Sequence, residues 1–134
     1  MRLDLARIRD AVPAIDPAFL RSPQFRSWPL DAALGCSVTL KVETLNPVRS
    51  FKGRGTELVV SRLLSERRYP SVVCASAGNL GQALAYSGSR RGVPVAVFAA
   101  ANANPLKVER MRSLGAAVHL EGEDIERPRA LARE

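Results

Sequence analysis

Ser71-Val72-Val73-Cys74-Ala75-Ser76-Ala77-Gly78-Asn79-Leu80-Gly81-Gln82 passes from a β-rich apolar run, through a turn of small residues, into a helical pattern that continues to Arg91. A short apolar run bounded by turn residues reads as a buried strand, and Gly92, just past the last periodic residue, is a helix stop. Pro94 to Ala99 repeats the strand. Asn104 is placed to cap the next helix, Pro105 takes its first position, Val108, Met111 and Leu114 face inward, and Gly115 ends it. Ala116 to Leu120 gives a third strand, and Arg127 to Glu134 begins another helix with Pro128 in its first turn. The rhythm is β-α-β-α-β-α, which predicts an α/β fold with a parallel sheet.

Toward the amino terminus the pattern changes. Pro13, Pro17, Pro23 and Pro29 punctuate residues 1 to 35, predicting an irregular arm that wraps over another surface. Val38 to Glu43 alternates as a strand does, and Thr44 to Arg49, with Asn46-Pro47, reads as a turn leading to Ser50 as a cap. From Thr56 to Arg67, Val59, Val60, Leu63 and Leu64 make one helical face, while Glu57, Arg62, Glu66 and Arg67 make the other. The expected division is an arm over 1–37, a strand and helix opening a larger domain over 38–69, and a small α/β domain over 70–134.

The totals exclude several classes. At 134 residues, 46% hydrophobic and 25% charged, the chain is an ordinary globular domain in composition. Its formal charge of +7 raises a nucleic-acid partner, but the arginines are scattered and do not interleave with the few aromatics, which argues against one. Cys36 and Cys74 form no C-x-x-C, and His119 has no metal-ligand spacing around it, so neither a disulfide framework nor a metal site is expected. Val93 to Ala101 is far short of the ~20 residues of a membrane span, and Met1 to Asp10 has no secretory block. A cytoplasmic location is the default expectation.

Two stretches carry chemistry. Ser50-Phe51-Lys52-Gly53-Arg54-Gly55 puts Arg49, Lys52 and Arg54 where a helix should begin. A cation there loses roughly 0.3–1 kcal/mol relative to an anion. A lysine that works as a neutral amine, or as an imine, fits the position better, and Phe51 with two bare glycines suits a flat ligand. Ser76-Ala77-Gly78-Asn79 lies at the carboxyl end of a strand and the amino end of a helix, where open parallel sheets bind ligands and free N–H groups meet anions. A tightly packed βα turn is the alternative for that stretch. It is not a dinucleotide fingerprint, and no phosphate loop of the G-x-x-x-x-G-K-[ST] type occurs.

Leu40-Lys41-Val42-Glu43-Thr44-Leu45-Asn46-Pro47, Ser50 to Gly55, Ser76 to Asn79, and Pro105-Leu106-Lys107 through Met111 to Ala116 together resemble the pyridoxal-phosphate enzymes of the tryptophan synthase β-subunit fold, fold type II. The likeness is strongest to serine/threonine dehydratases. It implies that Lys52 carries the cofactor as a Schiff base and serves as the α-proton base, that Phe51 packs on the pyridine face and that Asn79 bonds the ring hydroxyl. It also implies that Ser76, Ala77, Gly78 and Asn79 hold the carboxylate of a small amino-acid substrate, which loses its β-hydroxyl and ammonia to give a 2-oxo acid. A homo-oligomer is expected by the same likeness. Leu80 stands where such dehydratases usually have His, and Val48-Arg49 where many have Thr-Gly, which leaves threonine synthase-like or cysteine synthase-like activity open. Beyond Gly92 only Gly115 and Gly122 occur, so the glycine-rich loop that cups the cofactor phosphate is expected to be missing and the layout truncated. The alternative from another class is a non-catalytic fragment or paralogue that acts by association.

Overall fold

The structure, a computed structural model, describes residues 3–66 and 71–133. The expected polar-face residue Arg67, the 69/70 boundary and the last helical residue Glu134 lie outside the described residues. Asp4 caps α1 (Leu5–Asp10) by accepting from the N–H groups of Ala6 and Arg7. Two 3-10 turns follow, Val12–Ala14 and Pro17–Phe19. Then come β1 (Gln24–Arg26), α2 (Trp28–Leu34) and β2 (Thr39–Lys41), with β1 and β2 antiparallel and Phe25 opposite Leu40. The irregular backbone expected over 1–35 is thereby corrected to a run of short elements. Pro13, Pro17 and Pro29 sit in the first two positions of helical turns, where a missing N–H costs nothing, so they start elements instead of breaking them.

α3 (Lys52–Glu66) forms as expected but turns a different face inward. Gly53, Thr56, Glu57 and Val60 are buried, whereas Val59 and Leu64 are largely exposed. The cause is a polar seam with α4 (Asn79–Arg91). The Ser87 hydroxyl donates to Thr56 Oγ1 at 2.9 Å, and Arg91 Nη2 donates to Glu57 Oε2 at 2.7 Å. Pairing buried polar groups is favoured, so these two contacts go with the rotation of the helix that hydrophobic spacing alone misjudges, though Glu57 Oε1 and Arg91 Nε stay unpartnered among the described residues.

The carboxyl-terminal half follows the expected alternation within a residue or two at each end, except that the last helix, expected from Arg127 to Glu134, ends at Leu131, with Ala132 and Arg133 in a turn. β3 (Val72–Ala75), β4 (Val95–Ala99) and β5 (Ala117–Leu120) form a parallel sheet in the order β3-β4-β5, with Cys74 opposite Val97 and Val97 opposite Val118. α4, α5 (Pro105–Ser113) and α6 (Glu126–Leu131) complete the unit. Asn104 caps α5 by accepting from Leu106 and Lys107, and Gly92 and Gly115 take the left-handed backbone that ends α4 and follows α5. Val60, Leu84, Val95, Val97, Val108 and Met111 share one core, each worth about 1.5–3 kcal/mol of burial. His119 is a strand residue stacked on Phe98, its neighbour across the β4–β5 register. No helix among the described residues is long and apolar enough to cross a membrane.

Candidate active site

Lys52 is the first residue of α3, and the turn before it is tightly held. Asn46 is buried and spends all four of its hydrogen-bonding positions on that turn. Its Nδ2 donates to Glu43 Oε2 at 3.0 Å and to the Ser50 carbonyl at 2.9 Å, and its Oδ1 accepts from Val48 N–H at 3.1 Å and Ser50 N–H at 3.3 Å. Arg49 takes a left-handed backbone, φ 51°, which the bracing sustains. Ser50 Oγ accepts from Lys52 N–H at 3.4 Å, the capping contact expected of it. Lys52 and Phe51 are exposed, with Nζ 4.8 Å from the Phe51 ring centroid, and no carboxylate pairs with Lys52 among the described residues. Its amine therefore stands over an aromatic face without a counter-ion.

Gly53 is bare for packing. A Cβ there would lie 2.2 Å from the buried Phe19 ring, so its bareness seats α3 on the amino-terminal segment. Gly55 has nothing within 4 Å of where a Cβ would be.

The second stretch sits where β3 gives way to α4. Ser76 N–H pairs with the Phe98 carbonyl, extending the strand by one residue, and Ser76 Oγ accepts from both Gly78 N–H and Gly81 N–H at 3.2 Å. Ser76 is thus a cap for α4 as well as a candidate ligand residue, and its hydroxyl proton stays free to donate. Among the described residues the N–H groups of Ala77, Asn79 and Leu80 have no acceptor. A Cβ on Gly81 would lie 2.6 Å from Met111 Sδ and 3.0 Å from the Ser76 carbonyl, so a glycine lets the start of α4 press onto the sheet. A Cβ on Gly78 would meet nothing within 4 Å, which leaves that side open to an incoming group. Three free N–H groups, a hydroxyl and the Asn79 amide at a helix start form a donor set for a carboxylate.

The order of contacts between the helices brings the two stretches to one end of the molecule. Val48 shares a cluster with Phe19 and Ala83, Thr56 meets Ser87, and Glu57 meets Arg91. Ascending one helix ascends the other, so both amino ends point the same way and their positive dipole ends add.

Sequence reasoning missed Glu43, Ser22 and the inward turn of Arg54. Arg54 Nη2 donates to Glu43 Oε1 at 2.6 Å and to Ser22 Oγ at 3.2 Å. The signal was present: a cation in a first helical turn without an acid there calls for an acid from elsewhere.

The family model for pyridoxal-phosphate dependent enzymes matches residues 15–134. The chain is 33% identical over 118 residues to the L-serine dehydratase/L-threonine deaminase of Homo sapiens, covering 88% of this chain and 36% of that protein. It is 34% identical over 112 residues to the chloroplastic threonine dehydratase 1 of Solanum lycopersicum, covering 84% of this chain and 18% of that protein. Among solved structures, maize serine racemase superposes with a TM-score of 0.88 at 28% identity, covering 99% of this chain and 40% of that one. The chain spans about a third or less of the length of these curated relatives. The alternating parallel unit, the free lysine at a helix start and the match over nearly the whole sequence agree: the chain belongs to the pyridoxal-phosphate dependent enzyme family.

Proposed function

We propose that this chain contributes the lysine and the carboxylate loop of a site that removes the β-hydroxyl and the amino group of serine or threonine, yielding a 2-oxo acid and ammonia. The observation that carries the reading is Lys52, unpaired over the Phe51 ring, at the same end as the open amino terminus of α4. The residues present fit the cofactor's chemistry: an amine for its aldehyde, a flat ring for its pyridine and a side-chain amide at Asn79 for its hydroxyl. When bound, pyridoxal phosphate supplies an electron sink for the substrate α-carbon. Ser76 donates its hydroxyl proton to the substrate carboxylate, Ala77 and Asn79 add N–H groups, and Gly78 leaves room for the approach. Lys52 Nζ receives the α-proton as general base.

The division into an arm over 1–37, a lysine-bearing part over 38–69 and a small α/β part over 70–134 is part of the same reading, as are a homo-oligomer and a cytoplasmic location. Similarity to maize serine racemase favours one second reading. In that reading Lys52 takes the α-proton on one face, a proton is returned to the α-carbon on the other face by a second donor, and no hydroxyl leaves.

The test is incubation with pyridoxal phosphate, borohydride reduction and peptide mapping. The reduced adduct is expected on Lys52 and absent from Lys52→Ala. Equal labelling of Lys41 and Lys107 would remove the reading. A keto-acid assay and a D-serine assay on the same sample separate elimination from racemisation.

A further inference from the structure

The hydrogen bonds around Glu43 enclose Lys52 from both sides in sequence. One carboxylate oxygen, Oε1, receives the Ser22 hydroxyl at 2.9 Å and Arg54 Nη2 at 2.6 Å; the other, Oε2, receives Asn46 Nδ2 at 3.0 Å. Asn46 in turn fixes the N–H groups of Val48 and Ser50 and the carbonyl of Ser50, two residues before the lysine. Arg54 lies two residues after it, on the same helix. One partly buried carboxylate therefore joins the backbone entering Lys52 to the helix leaving it, and Ser22 ties both to the amino-terminal segment.

Lys52 itself has no ion pair among the described residues, so its direction depends on the backbone beneath it. A lysine side chain carries several free rotations, and a misplacement of about 1 Å at a reacting atom can cost about a hundredfold in rate. We propose that Glu43, acting through Asn46 and Arg54, is a positioning residue that aims Lys52. The proposal rests on the reading of Lys52 as the cofactor lysine. It goes further in assigning a task to an acid that touches neither cofactor nor substrate.

The experiment compares Glu43→Gln, Arg54→Met and Arg54→Lys with the unaltered chain in two measurements. Without cofactor, amide hydrogen exchange at Val48 and Ser50 is expected to rise about tenfold in Glu43→Gln and Arg54→Met, because a charge-assisted hydrogen bond is lost locally. Amides of β4 are expected to keep their rates. With pyridoxal phosphate and borohydride, the ratio of label on Lys52 to label on Lys107 is expected to fall several-fold in the same two variants. Arg54→Lys, which keeps a cation able to reach Glu43, restores the ratio. A merely structural role would lower melting temperature and loosen all amides without moving that ratio. Unchanged exchange at Val48 and Ser50, or an unchanged ratio despite faster exchange, overturns the proposal. Absence of label on Lys52 in the unaltered chain refutes the cofactor-lysine reading instead, and exchange alone then decides whether Glu43 orders the turn.

Discussion

Gly53 and Gly55 look alike in the sequence and differ in what surrounds them. Gly53→Ala drives a methyl group into the fully buried Phe19 ring, and a loss of about 1–3 kcal/mol in urea unfolding is expected. Gly55→Ala meets open space inside a helix, so it is expected to be neutral or to gain up to about 1 kcal/mol. The two cysteines separate in the same way. Burial pushes the Cys74 thiol up to about 11, whereas Cys36 is exposed at the end of α2. At pH 8 iodoacetamide is expected to alkylate Cys36 at least about tenfold faster than Cys74, by peptide mass mapping. The sequence marked Lys52 through its charge and place, and Ser76 to Asn79 through small residues after a strand. It could not show which glycine was bare for a ring and which for nothing, because Phe19 is a distant neighbour in sequence.

The elements of the carboxyl-terminal half were legible because each carries its own punctuation: a cap at Asn104, stops at Gly92 and Gly115, β-rich runs between. The inward face of α3 was not, since a buried Glu57 with its partner on another helix leaves no local trace. Glu57→Ala would leave Arg91 without its carboxylate, with only the Ala14 carbonyl and about a quarter of its side chain exposed, so a loss of about 2–3 kcal/mol is expected by denaturant unfolding, below the full cost for a wholly buried pair. The Glu43 clamp has a pH signature. Burial pushes its carboxyl up, but hydrogen bonds from Arg54, Ser22 and Asn46, with the Arg54 charge, hold it below the ordinary 4.5. A carboxylate lowered on folding contributes stability above its unfolded value and loses it as pH falls through the folded one. The melting-temperature gap between the unaltered chain and Glu43→Gln is therefore expected to be full at pH 7 and to narrow as pH falls below the ordinary 4.5. A gap that stays constant down to pH 3 would contradict the clamp's ionic character.

At the scale of the molecule, accessible surface is 9058 Å², against roughly 6,900 Å² for a compact monomer of its mass. Large apolar side chains stand in that surface: Leu3, Trp28, Leu34, Leu45 and Leu106 are each more than 60% exposed. Surface of that kind associates. Sedimentation equilibrium of the 134 residues is expected to give a mass above 14.5 kDa that rises with concentration, together with binding of a hydrophobic dye. A mass fixed at 14.5 kDa without dye binding would count against the proposed oligomer.

Phe19 gives the amino-terminal segment a practical weight. Its ring lies between Gly53, Val48 and Ala83, edge-on to Tyr86, directly under the first turn of the lysine helix. Residues that expression work would readily sacrifice as a disposable leader are therefore the floor on which Lys52 stands. A version beginning at Ser22 would carry a phenyl-sized void below Gly53, at a cost of about 3–5 kcal/mol. Loss of cofactor labelling in such a shortened protein would report a missing foundation, with every residue of the Lys52 turn still present.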